Sequence, residues 1–235
     1  MAKRFYVASN VVIASLLVAL SVVIFTVDMS AIYLTVSAPL YAGNRDRPNV
    51  SIVVSVRDNS PYIEPIMDVL RDRGVDATFF VSGSWVKRNM EFARELGRHF
   101  ELGNHGYSGN DMRGWTEARQ VEELDSARQV IRAVTGSNTT LFSPPLGSFG
   151  RNTLRAAESL GYTTVMWTRD TMDARGYLQT NHSTPDLIFS RAVRNTKNGD
   201  LVLVHPSANT VAALDSIIDY FLTNGFNVVR VSDNI

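Results

Sequence analysis

Two hydrophobic rhythms divide this chain. From residue 6 to residue 27 no side chain is charged; Lys3 and Arg4 precede the run and Asp28 closes it. A helix that crosses a bilayer needs ~20 apolar residues at ~1.5 Å of rise each, so the run predicts one N-terminal transmembrane helix over 6–27. Its core, 11–27 (VVIASLLVALSVVIFTV), exceeds the roughly 7–15 apolar residues of a signal peptide. Ser37-Ala38-Pro39 is a poor cleavage site so far downstream, and a retained anchor is expected. The basic pair ahead of the run places residues 1–5 in the cytoplasm and the rest outside. Residues 28–48 read as a juxtamembrane linker, apolar at first and ending in the polar, Gly- and Pro-marked AGNRDRP of 42–48.

From Asn49 onward the rhythm changes. Short β-branched runs alternate with amphipathic stretches that close on glycine. The pattern predicts strands over 50–56, 77–81, 139–142, 163–167, 200–205 and 227–231. Between them it predicts helices over 63–73, 115–134, 152–160, 185–196 and 211–223, with another around 91–96 ended by Gly97. Such alternation implies parallel strands joined by crossover helices in one α/β domain, residues 49–235. Periodicity alone leaves a barrel and an open doubly wound sheet equally possible.

Composition removes some functions and constrains others. The 235 residues carry 23 basic and 23 acidic side chains, and this balance gives no electrostatic reason to expect nucleic acid as a partner. There is no cysteine. Disulfides and thiolate metal sites are excluded, and any metal must be held by His, Asp or Glu.

Five strings carry the chemistry: SVRDNS at 55–60, NHGYSG at 104–109, FSPPLGSF at 142–149, DTMD at 170–173 and LVLVHP at 201–206. In this order they resemble the motif set of the polysaccharide deacetylase (NodB-like) family, closest to its sporulation-associated branch. The run ATFFVSGSW at 77–85 adds to the likeness. The resemblance implies an irregular (β/α) barrel of the polysaccharide deacetylase type. It also implies a divalent metal, usually zinc, held by one Asp and two His, with a carboxylate base and a His acid.

Residue by residue the match is uneven. Asp58 falls on the metal-ligand position and Arg57 on that of the base, and a guanidinium cannot accept a proton; a local Arg57–Asp58 ion pair is the plainer reading of the two. His105 matches the first ligand of the His-x-x-x-His motif, but Gly109 stands at the third ligand position and has no donor atom. Asn110 or Asp111 are the candidate substitutes, and a structural role for His105 competes with ligation. In the next motif Ser143 replaces the arginine that orients the base, while Pro144, Pro145 and Leu146 keep a substrate-binding loop, with Leu146 in place of an aromatic. Asp173 and His205 match the pair in which a carboxylate fixes the imidazole tautomer of the acid. Trp167 matches a residue of the pocket floor. A groove lined by Trp85, Tyr107, Trp115 and Trp167 would favour sugar stacking. His99 and His182 read as solvated.

The resemblance therefore implies a catalytically degenerate member of the family, expected to work without a cofactor. Its implied partner is a cell-envelope glycan (peptidoglycan or chitin-like) or an envelope protein complex. The alternative is an active carbohydrate N-deacetylase with a rearranged site using zinc or another divalent metal, with Asp58, His105 and a substitute such as Asp111 as ligands.

Overall fold

The computed structural model describes residues 13–19, 21, 37–173 and 183–235. The chain separates into two compact units, Met1–Val36 and Ser37–Ile235. In the first, residues 13–19 are helical and Ile13, Leu16, Leu17 and Val18 are each more than half exposed. Most of the helix expected over 6–27, and the linker up to residue 36, lie outside the described residues. Among the described residues no helix is long and apolar enough to cross a membrane.

The second unit is built on parallel strands: β1 (Asn49–Val56), β2 (Thr78–Val81), β3 (Glu101–Asn104), β4 (Leu141–Phe142), β5 (Thr163–Thr164), β6 (Arg169–Asp170), β7 (Asp200–Val204) and β8 (Asn227–Val228). Their order is β5-β4-β3-β2-β1-β7-β6, with β8 also on β1. The helices are α1 (Ile63–Asp72), α2 (Gly83–Arg88), α3 (Met90–His99), α4 (Glu117–Thr135), α5 (Arg151–Ser159), α6 (Pro185–Val193), α7 (Ala208–Thr223) and α8 (Val231–Asn234).

One bent segment carries both edges of the sheet. Residues 163–164 pair with β4, and residues 169–170 pair with β7. Between them Leu40 bridges Val165 in parallel, accepting from the Met166 N–H at 2.8 Å. The sheet thus curls into an irregular, incompletely closed barrel. Leu40, expected in the linker, belongs to this barrel, as does Gly43, whose N–H donates to the Gly199 carbonyl at 2.7 Å.

β1 shows why the sheet is buried on both faces. Val50, Ile52, Val54 and Val56 share the outer core with Ile66 and Leu70 of α1 and Ile217 and Phe221 of α7. Val53 joins Phe80, Leu141, Val165, Leu201, Leu203 and Val231 inside the barrel. With a period of two, Ser55 and Arg57 follow Val53 on the interior side, at the mouth.

Several expected boundaries move. The helix expected to stop at Gly97 runs on to His99, because Gly97 lies where α3 comes against Leu102 and Thr135; a Cβ there would meet each at 3.2 Å. The strand expected over 227–231 ends at Val228. Val231 instead opens α8 and inserts into the barrel, its N–H donating to Thr78 Oγ1 at 2.9 Å. The stretch 163–167 holds two residues of strand, since Val165 and Met166 bond to Phe142 and Leu40 in the closing segment. α4 begins at Glu117, with the Thr116 hydroxyl accepting from the Arg119 N–H as its cap. α2, β3 and β6 were not expected; α2 and β6 are too short to show a period, and β3 (ELGN) has no β-branched residue.

Candidate active-site cleft

The loops that leave the C-terminal ends of β1, β3, β4, β6 and β7 surround a cleft of about 230 Å³. Its floor is apolar, from Val53, Phe80, Leu203 and Trp167, and its rim includes Pro61, Pro144, Leu146 and Pro206. Its polar lining includes Ser55, Arg57, Asp58, His105, Asp170, Asp173 and His205.

His105 is held at both ring nitrogens. Nδ1 lies 2.7 Å from the Ser143 carbonyl, which can only accept, so Nδ1 carries the proton. Nε2 then accepts from Ser55 Oγ at 3.0 Å. The ring is buried, and burial is the main reason its pKa falls to about 4; the charges of His205 and Arg57 act in the same direction, against the raising effect of the Ser143 hydrogen bond. His105 is neutral at any ordinary pH.

Asp173 and His205 form the second constellation. His205 Nδ1 donates to Asp173 Oδ1 at 2.8 Å, and the His205 backbone N–H donates to Oδ2 at 2.9 Å. Thr210 at the start of α7 donates to the same Oδ2. Burial by itself would raise the Asp173 pKa, but these hydrogen bonds and the His205 charge outweigh it and hold the carboxyl below its ordinary value. Among the described residues His205 Nε2 has no protein partner and faces the cleft, in the tautomer a proton donor or acceptor would use.

Arg57 and Asp58 form the ion pair, Nε to Oδ2 at 3.0 Å, with the Asp58 side chain 72% exposed. Gly109 sits behind Arg57, with its Cβ position 2.4 Å from Arg57 Cγ. The metal chemistry implied by the motifs needs one Asp and two His. Here Asp58 is turned toward Arg57, His105 Nε2 is satisfied by Ser55, and the third position is glycine. Among the described residues no three His, Asp or Glu side chains gather as they would around a metal ion. This residue set does not fit a divalent metal.

Of the expected site residues, Asp58, His105, Pro144, Leu146, Trp167, Asp173 and His205 line the cleft, as does Arg57. Pro145 does not; it is buried in the turn Pro145–Gly147, behind the loop surface. Asp111 stays outside the cleft, accepting from the Arg113 N–H at 2.9 Å, and Asn110 is exposed, so neither replaces the lost ligand. Of the four aromatics expected to line a groove, Trp167 alone lines this cleft, with Phe80 beside it in the floor. Trp85 is 1% exposed and packs edge-on to Phe92 in the outer core. Trp115 carries the Arg119 guanidinium at 3.9 Å, and Tyr107 covers Gly83. His99 pairs with Glu95 at 2.9 Å, and His182 lies outside the described residues. Ser55, Phe80, Leu203 and Asp170 were missed. For Ser55 the two-residue alternation of β1 was the available signal.

A parallel barrel with its cleft at the C-terminal strand ends, lined by an Asp–His pair and by Pro144 and Leu146, defines a protein of the polysaccharide deacetylase fold. The chain belongs to the polysaccharide deacetylase family, whose model matches residues 45–165. It is similar to the uncharacterized protein YlxY of Bacillus subtilis, 32% identical over 196 residues, which are 83% of this chain and 60% of that protein. The chain therefore spans about three fifths of that relative. A peptidoglycan-N-acetylglucosamine deacetylase of Bacillus cereus is 30% identical over 79% of this chain and 88% of its own length. Among solved structures, BA3943 of Bacillus anthracis, a CE4 family pseudoenzyme, superposes with a TM-score of 0.78 at 31% identity, over 84% of this chain and 68% of that one.

Proposed function

We propose that this protein is a membrane-anchored, extracytoplasmic member of the polysaccharide deacetylase family that has lost hydrolysis and acts by binding envelope glycan, or as a scaffold in envelope or spore assembly. One observation carries the reading: the base and third-ligand positions hold Arg57 and Gly109, packed against each other, while the cleft and its Asp173–His205 wall remain intact. A missing general base alone costs ~10²–10⁴-fold in rate. An apolar floor that includes Trp167, with a few polar groups around it, is the form of a small-ligand site. The likeness to the BA3943 pseudoenzyme supports the loss of chemistry, and the likeness to a peptidoglycan deacetylase supports the glycan. The anchor rests on the uncharged run 6–27 behind Lys3 and Arg4.

The test is co-sedimentation of the full-length chain with purified peptidoglycan, with released acetate measured in the same tubes. The expected result is retention on the glycan without acetate above buffer. Trp167→Ala should weaken retention by about tenfold, the scale of one lost aromatic face of ~1–1.5 kcal/mol. Acetate release abolished by a chelator would instead establish the rearranged-site deacetylase.

A further inference from the structure

The disagreement between the family's metal chemistry and this cleft has a definite physical form. Gly109 has φ +70°, and a Cβ built on it lies 2.4 Å from Arg57 Cγ, 3.2 Å from Arg57 Cδ and 3.3 Å from Ser82 Cβ. Real Cβ atoms do not approach within 3.0 Å of such neighbours. The aliphatic stem of Arg57 therefore fills the volume in which any side chain on residue 109 would begin.

The backbone from which that stem springs is held in place. The Arg57 carbonyl accepts from Ser82 Oγ at 3.0 Å, and the Ser82 N–H donates to the Val56 carbonyl at 3.1 Å. Ser82 is itself the cap of α2, its hydroxyl accepting from the Trp85 N–H. The head of Arg57 is bonded to Asp58. The backbone of residue 57 is thus tied to a helix start on one side, and its side chain lies along Gly109.

We infer that Arg57 and Gly109 are one interlocked unit that excludes a divalent metal. Arg57 takes the place of the base and, through its stem, bars any ligand side chain at 109. Gly109 in turn gives the stem its space. Reversion at 109 alone fails on steric grounds, whatever donor atom it brings. This goes beyond the glycan-binding reading and needs no glycan to test, so either can fail without the other.

The experiment is a double-mutant cycle on the full-length chain, read by thermal melting and by zinc titration calorimetry. A Cβ at 109 carries the same left-handed backbone penalty in both backgrounds, so the cycle isolates the collision. Gly109→Ala should lower Tm by several degrees beside Arg57 and by less than half as much in Arg57→Ala. Gly109→His alone should bind zinc no better than the unaltered chain. Arg57→Ala with Gly109→His should bind it at least about tenfold more tightly, the scale on which metal-site partners act. Equal Tm losses in the two backgrounds would overturn the inference. So would tight zinc binding by Gly109→His alone, or no gain in the double variant. If a His variant fails to fold, the alanine cycle decides.

Discussion

His105 matches a metal-ligand position of the motif set and is bonded at both ring nitrogens inside the barrel. Its neutral ring bridges Ser55 on β1 and the Ser143 carbonyl after β4, tying two strand ends together. The linkage sign follows from its pKa of about 4, lowered from 6.5 by burial. Between those values the unfolded chain binds a proton that the folded chain does not. The contribution to stability is complete above pH 6.5 and falls as pH drops toward 4, by on the order of 3 kcal/mol. Thermal melts between about pH 7 and pH 4.5 should show this slope, and His105→Asn should flatten it. Identical slopes in the two proteins would contradict the assignment. Asp173 makes the opposite contrast, a carboxylate kept charged by its donors. Asp173→Ala leaves the His205 N–H groups without their acceptor, while the Thr210 hydroxyl keeps Ser207 Oγ at 2.7 Å, and should cost ~2–4 kcal/mol by denaturant melting, whether or not any reaction survives. A variant as stable as the parent would show that the pair is ornamental. At this scale the sequence was informative about identity and less so about geometry. The motif positions of Asp173 and His205 pointed to their pairing, but nothing in the string showed that Ser55 would occupy His105 Nε2.

The elements explain which parts were legible. β1 and β7, long and β-branched, and α4 and α7, long and capped, stood out because their period repeats several times. β4, β5 and β8 were expected but are shorter than their apolar runs, two residues each, and β6, also two residues, showed no period. They are held by the barrel that forms around them. Trp85 shows the converse failure: a tryptophan near a motif reads as a binding aromatic, yet α2 turns it into the outer core. β3 offers a direct test of how closely the interior is packed. A Cβ on Gly103 would lie 2.4 Å from the Phe80 ring, which forms part of the cleft floor. Overpacking of this kind costs ~1–3 kcal/mol. Gly103→Ala should lower stability by that amount and weaken glycan retention by shifting Phe80. Unchanged melting would mean that β3 can move aside.

For the whole molecule, the proposed reading is of a barrel that keeps the family's shape, its cleft and the Asp173–His205 pair, with Arg57 and Gly109 at the positions of the base and of a metal ligand. A fold specified by alternation and packing tolerates such a change because the core beneath does not depend on the residues at the mouth. The uncharged run ahead of the barrel adds an expectation at the same scale: the full-length chain should stay in the membrane fraction after alkaline washing, with residues 49–235 open to protease added from outside the cell. Release by the wash, or protection from the protease, would contradict the anchored topology. Metal content tests the central claim most directly. The full-length chain, purified in detergent without chelator and loaded with zinc, is to be measured by elemental analysis. The account predicts less than about a tenth of an equivalent, given a ligand position, Gly109, that has no donor atom. One equivalent of zinc, lost in His105→Ala, would contradict it.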